Sequence, residues 1–462
     1  MEHQLIIAVV GGISILLFLI LKLKINAFIA LLIASITVGL IAGLNATEII
    51  ATVQDGMGGT LGFVATVVGL GAMFGAILEY SGGAKAIANF MVAKFGLKNA
   101  PIAMVISGFL IAIPVFFDVA FIILVPMIYA LQRKTKKSLL LYAIPLLAGL
   151  AITHAFIPPT PGPIAVAKII RAELGWVILI GFIVGIPTAL VSGLVFGKYI
   201  AKKIHIEAPS KNEKNEDLVL PNIGLTLGII AVPIVLILLN TFFSSGIFTI
   251  DSKHIENLSS LDRFLLFFDN ETFKNSIALV GHPFVALIIA NILAWYFFGI
   301  RRGFSKDKLF TISSKSFETT GTIILLTGAG GVFKQTLTNT GAGELLANSL
   351  SDAGFPILAF AFISAAIVRI IQGSSTVAMI TAASLIAPLL VHAELNNAKL
   401  ACIVIAVASG ASIFSHVNDS GFWLVGQYLG ITEKQTFKSW TIMTTILAFT
   451  GFITVSIINF FL

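Results

Sequence analysis

The chain is poor in cysteine, in charge and in polar aromatics. Cys402 is the single cysteine of 462 residues and lies in an apolar run, so no disulfide framework or cysteine-based metal site can be built. Charged residues make up 11%, against about 25% in a soluble globular chain. So few charges cannot cover a water-facing surface of this size, which excludes a cytosolic enzyme, a disordered protein and a nucleic-acid module. The net charge of +7 then has a simpler cause, because lysine and arginine mark the cytoplasmic loops of membrane proteins. Trp (4) and Tyr (6) are scarce while Phe (37) and Gly (41) abound, and 57% of residues are hydrophobic. With a mean hydropathy of +1.01, this composition fits an all-α, polytopic membrane protein whose helices approach closely.

A helix needs about 20 apolar residues to cross the hydrocarbon. Leu5 to Leu21 is such a run, with Glu2 and His3 before it and Lys22 and Lys24 after it. A cleavable leader carries its positive charge ahead of the apolar core, so this reads as a retained first span with its N-terminus outside. Further spans are expected over 25–44, 60–80, 138–170, 175–198, 220–242, 277–298, 316–338, 399–430 and 438–461. The stretches 100–131 and 355–391 are apolar but interrupted. Segments 45–59 and 339–354 contain no Lys or Arg, and 243–276 holds five acids against three bases. Every basic cluster falls on the inner side only if 100–131 and 355–391 each enter and leave on one face as re-entrant hairpins. Both termini are then outside the membrane. The polar stretch 199–219 reads as a cytoplasmic linker between a first membrane repeat, 1–198, and a second, 220–462. The segment 84–96 reads as an amphipathic, interfacial helix.

The two halves share a pattern. Gly71, Phe74, Leu78, Ser81, Gly82 and Ala88-Asn89 match Gly330, Phe333, Leu337, Thr340, Gly341 and Ala347-Asn348, with a constant offset of 259. An interrupted stretch follows each match, and then a span broken near a histidine. In the topology above, the halves run in opposite directions. Inverted repeats with interrupted helices point to a secondary transporter whose site lies near the bilayer midplane.

Four segments place polar chemistry at membrane depth, where irregular backbone survives only against protein or a wet cavity. Asp118 stands in Ile113-Pro114-Val115-Phe116-Phe117-Asp118 with no base nearby, and an ionisable residue there is a functional candidate by default. Residues 153–163 hold His154, four prolines, Thr160 and Gly162. So many prolines oppose a helix and leave carbonyls free. His154 fits a proton carrier and equally a neutral ring bonded to a carbonyl. Around residues 369–376, Arg369 precedes Gly373, Ser374, Ser375 and Thr376, which open an apolar helix. Helix N-termini attract anions, and Arg369 is the anion-pairing candidate. In the last segment His416, Asn418, Asp419, Ser420 and Gly421 follow one another closely. Together these groups suit a small hydroxylated anion such as a sugar acid, with Asp118, His154, His416 and Asp419 as candidates for a coupling proton.

The phrases GAILEYSGGAKAIA, PVFFDVAFIILVPMIYAL, ITHAFIPPTPGPIAVA, RIIQGSSTVAMITAASLIAP and SHVNDSGFWLVGQYLG resemble those of the gluconate:proton symporter family of bacterial permeases. The resemblance covers nearly the whole chain, and THAFIPPTPGP is its most specific phrase. It implies an ion-transporter fold with a scaffold and a mobile, elevator-like transport domain, two re-entrant hairpins, two broken helices, and commonly a homodimer. It also implies proton-coupled uptake of gluconate or a related acid, without cofactor or metal. Asp118 and Ser374 to Thr376 would then sit at the hairpin tips, with His154 to Gly162 and His416 to Gly421 at the breaks. Members of the family handle gluconate, ketogluconates, idonate, fructuronate, glycerate and D-serine. A sodium-coupled carrier is the nearer alternative. An intramembrane hydrolase using an Asp118/Asp419 pair, or Ser374 with His416, is the remote one, lacking a G-x-S-x-G elbow and leaving the repeat unexplained.

Overall fold

The computed structural model describes residues 2–209, 219–244, 271–342, 356–391, 393, 395–417 and 419–462, so parts of the 199–219 and 243–276 segments, Ala347-Asn348 and Asn418 lie outside the described residues. Among the described residues the protein is helical and contains no strand. Seven helical stretches are long and apolar enough to cross a membrane, and the protein is a multi-pass membrane protein.

α1 (Glu2–Leu21) and α2 (Ala27–Ala42) pair as neighbours. α3 then runs without a break over Ala46–Tyr80, including residues 45–59 that the sequence assigns to a loop. The reason is a strong start signal: Asn45 Oδ1 accepts from Glu48 N (3.0 Å) and Glu48 Oε2 accepts from Asn45 N (2.8 Å), a reciprocal pair that satisfies two orphan donors. The glycines at 56, 58, 59 and 62 do not end the helix, because one of them is needed inside it. A Cβ on Gly56 would sit 2.6 Å from Val332 Cα, where another long helix crosses.

α4 (Gly83–Phe95) meets α5 (Ala100–Ile111) at a 113° bend. α6 (Phe117–Thr135) follows after a five-residue tip, 112–116. α7 (Leu140–Phe156) and α8 (Pro161–Ile170) are separated by extended backbone at 157–160, with a cis Pro158-Pro159 bond. Only two of the four prolines lie in that break. Pro161 and Pro163 begin α8 instead, since a first turn needs no N–H from its early residues. α9 (Leu174–Lys203) is a long rod with a π-helical stretch at 189–195.

In the second half, α10 (Ile223–Ser244), α11 (Glu271–Val280) and α12 (Pro283–Arg302) lead to α13 (Lys306–Asn339). α13 starts ten residues earlier than its apolar run, capped by Ser305. α14 (Ile357–Gln372) turns at Gly373, whose φ of 89° suits glycine, into α15 (Ser375–Ile386). Each of α5, α14 and α15 is shorter than the about 20 residues a crossing requires. α16 (Asn397–Gly410), irregular backbone to Asp419, α17 (Ser420–Leu429) and α18 (Glu433–Phe461) complete the chain.

α3 packs along α13, α5 along α7, and α14 along α16, while α6 lies against α17 and α15 against α8. Glycine makes the tightest of these crossings. A Cβ on Gly149 of α7 would stand 2.3 Å from Val105 O of α5, and one on Gly410 of α16 would stand 2.1 Å from Phe362 O of α14. Backbone cannot yield as a flexible side chain can, so these joints hold the short arms rigidly.

Gly149→Ala is therefore expected to lower thermal stability, by about 1–3 kcal/mol of overpacking. Gly58→Ala, whose new methyl meets nothing within 4 Å, is expected to gain about 0.5–1 kcal/mol. Thermal unfolding in detergent, read by size-exclusion, checks both signs.

Candidate functional site

The α5–α6 tip, the α14–α15 tip and the backbone break before α17 converge on one cavity of about 550 Å³, within the range typical of small-molecule sites. Three helices point their N-termini at it: α6 through Phe117 and Asp118, α15 through Ser374 to Thr376, and α17 through Asp419 to Gly421. The unpaired N–H groups of each first turn make this a positive-potential wall built from backbone. Only part of it is consumed internally. Ser374 Oγ caps Val377 N at 3.4 Å and Asp419 Oδ1 accepts from Gly421 N at 3.1 Å.

Arg369 and Asp419 form a buried ion pair, Arg369 Nη2 to Asp419 Oδ2, at 2.5 Å. The other terminal nitrogen of Arg369 donates to the carbonyl of Gly373 at the hairpin tip. Asp419 Oδ2 also accepts from Ser415 Oγ, and Ser415 Oγ in turn accepts from Trp440 Nε1 at 2.6 Å. The Trp440 ring then packs at a tilt of 36° against Phe117 of α6, with centroids 5.5 Å apart. One chain of contacts thus joins the two hairpin tips through α18. The sequence reading took Arg369 as a partner for an anion and Asp419 as a proton candidate. The structure gives each of them the other.

Asp118 is different. It lines the cavity and no hydrogen bond or ion pair reaches its carboxyl from the described residues. His154 also lines the cavity, with its ring edge-on to Phe116 and a buried Nδ1 that has no partner among the described residues. His416 lies outside this set and its Nε2 bonds Ile370 O at 2.7 Å. Gly373, Ser374, Ser375, Thr376, Ser420 and Gly421 all line the cavity. Thr160 does not: it is buried and donates to Ile157 O at 2.7 Å. Gly162 also serves packing, since a Cβ there would stand 2.8 Å from Met379 Sδ of α15. Asn418 lies outside the described residues.

Phe116, Gln372 and Ser412 stood within the polar segments without being singled out, and Trp440 and Thr444 lay outside them, yet all five line the cavity. Ser439-Trp440-Thr441 carried a signal, two hydroxyls and an indole directly after Lys438 at the start of the last apolar run. Thr441 Oγ1 and the Trp440 indole both hold Ser415.

The family described as GntP family permease matches residues 3–461. The low-affinity gluconate transporter of Escherichia coli K12 is 38% identical over 450 residues, covering 97% of this chain and 96% of that protein. The gluconate permease of Bacillus subtilis is 38% identical over 458 residues, covering 96% and 97%. Among solved structures, the Alcanivorax borkumensis YdaH transporter superposes with a TM-score of 0.65 at 13% identity, covering 94% of this chain and 98% of that one. This last likeness is one of fold.

Removing one partner of a buried ion pair strands the other, at a cost of about 3–5 kcal/mol. Arg369→Met alone is expected to lower the unfolding temperature sharply. Adding Asp419→Leu to it should restore most of the loss, because no charge then stays unpaired. Equal stability of the single variant and the parent would show that the pair does not hold the tip.

Proposed function

This chain belongs to the GntP family of permeases, and from that premise we propose that it is a secondary active carrier coupling inward movement of gluconate, or a related sugar acid, to a proton. Membership makes it a transporter and not an enzyme, which disposes of the intramembrane hydrolase. The single observation that carries the proposal is the cavity in which three helix N-termini face an unpaired Asp118.

Arg369 and Asp419 cancel each other, so the charge that an incoming anion meets is set by Asp118. With Asp118 ionised, a carboxylate entering the cavity adds a second uncompensated negative charge at low dielectric. With Asp118 protonated, the same carboxylate faces only N–H groups, the hydroxyls of Ser374, Ser375, Thr376 and Ser420, and helix dipoles. Anion and proton therefore favour each other's presence, which is what symport requires. An unpartnered charge costs about 2.5–3.5 kcal/mol at the bilayer centre on insertion scales, so joint loading also lowers the barrier to moving the loaded site. His154 and His416 are the reserve proton carriers.

The paired packing supports an inverted-repeat reading. α5 on α7 and α14 on α16 are like pairs, and α6 on α17 mirrors α15 on α8. On this reading residues 1–198 and 220–462 are the two repeats. α5–α6 and α14–α15 are the re-entrant hairpins, α7–α8 and α16–α17 the broken helices, and an elevator-like shift of the transport domain exchanges access. Both termini are outside a bacterial plasma membrane, and the working form is a homodimer. Gluconate is the favoured solute because relatives bear its name, with D-serine and glycerate as substitutes.

Uptake of labelled gluconate into proteoliposomes, with pH and sodium gradients imposed separately, tests the whole. Accumulation driven by the proton gradient is expected, and accumulation driven by sodium alone overturns the coupling ion. Asp118→Asn should abolish proton-driven accumulation while leaving exchange of labelled for unlabelled solute measurable. Full accumulation by that variant removes Asp118 from coupling. Ser375→Ala should weaken apparent affinity by about tenfold, the worth of one hydrogen bond to a charged group at the lower end.

A further inference from the structure

A second cavity of about 410 Å³ lies at the far end of α8 from the proline break. The ten residues of α8 put it about 15 Å along the helix from Thr160. It shares no lining residue with the central cavity.

Its walls carry Lys168 and Arg171 and one acid, Glu173. Cations at a helix C-terminus ordinarily neutralise the last carbonyls. Here that task is already done by other groups. Lys334 Nζ of α13 donates to Ile169 O at 2.6 Å, and Ala172 N donates to Ala167 O at 2.8 Å. The Lys168 and Arg171 side chains are left over. Lys168 rests over the Phe63 ring at 5.2 Å, and neither residue forms an ion pair among the described residues. Glu173 does not answer them either, because its Oε1 accepts from Thr241 Oγ1 at 2.8 Å and its Oε2 from Asn397 Nδ2 at 3.0 Å.

Three further helices begin at this cavity: α9 at Leu174, α12 at Pro283 and α16 at Asn397. Helix N-termini are common to both cavities, and this one adds two cations that no ion pair consumes among the described residues.

We propose that this cavity is a second anion site, an antechamber that takes the same hydroxylated carboxylate the carrier moves. Lys168 and Arg171 hold its carboxylate, and its hydroxyls lie along the wall formed by the starts of α9, α12 and α16. The inference rests on the substrate class proposed above.

The test is equilibrium binding of labelled gluconate to the full-length protein in nanodiscs of zwitterionic phosphatidylcholine, at low salt. Two gluconates per chain are expected. Lys168→Gln with Arg171→Gln should weaken the second site by about tenfold, as loss of two exposed charge contacts implies, and high salt should weaken it in the parent protein. Ser375→Trp should remove the other site by filling the central cavity. Size-exclusion elution at the parent position, together with retention of whichever site was not targeted, shows that each variant is folded. One gluconate per chain, lost with Ser375→Trp and indifferent to the paired charge removal, overturns this inference and leaves the proposed function standing. No bound gluconate overturns both. Gluconate displaced from the second site by a few per cent of phosphatidylglycerol shows a lipid-headgroup site and overturns the substrate assignment.

Discussion

Backbone polar groups have no water to turn to at hydrocarbon depth, so each must find protein or line a wet space. Everything distinctive in this fold follows from where that rule is relaxed. The chain leaves helical geometry at the 112–116 tip, at Gly373-Ser374 and over 411–417. All three interruptions abut the same cavity. The N–H groups they expose are thus gathered rather than scattered, and the cavity acquires an anion-attracting wall without spending a net positive charge on it. The break at 157–160 is closed instead by its own Thr160 bond and by packing.

Two acids were visible in the apolar sequence, and the fold treats them oppositely. Asp419 has its carboxylate filled by Arg369, Ser415 and its own helix start. Asp118 has no such partner. The ion pair removes a full positive charge from the reckoning and ties the second tip to the second break. The arginine is therefore spent on the shape of the tip, through Gly373 and Asp419. On the proposed reading, protonation of Asp118 is what decides whether an anion meets a second negative charge in this cavity.

Much of this was legible beforehand. The class of protein, the polar segments at 118, 154–162, 369–376 and 416–421, and the end of most spans follow from composition, proline and glycine. The misreadings have definite causes. Residues 45–59 fall between two expected spans, yet they are helical, and Gly56 is demanded there by the close approach of α13, which no single-chain pattern displays. Pro161 and Pro163 look like breakers and are instead helix starters. Thr160 and Gly162 stand beside a break, where Thr160 bonds Ile157 and Gly162 packs on Met379, contacts that no sequence pattern displays. The Arg369–Asp419 pair spans 50 residues, and sequence offers no rule for matching two lone charges across that distance.

The contact line from Phe117 through Trp440, Ser415, Asp419 and Arg369 to Gly373 makes the halves mutually dependent in descent as well as in space. A change at one tip alters the packing that its opposite number inherits through the indole. On the proposed reading, a change of solute size would therefore need matched changes at both tips, and positions 117, 415 and 440 are where they would fall.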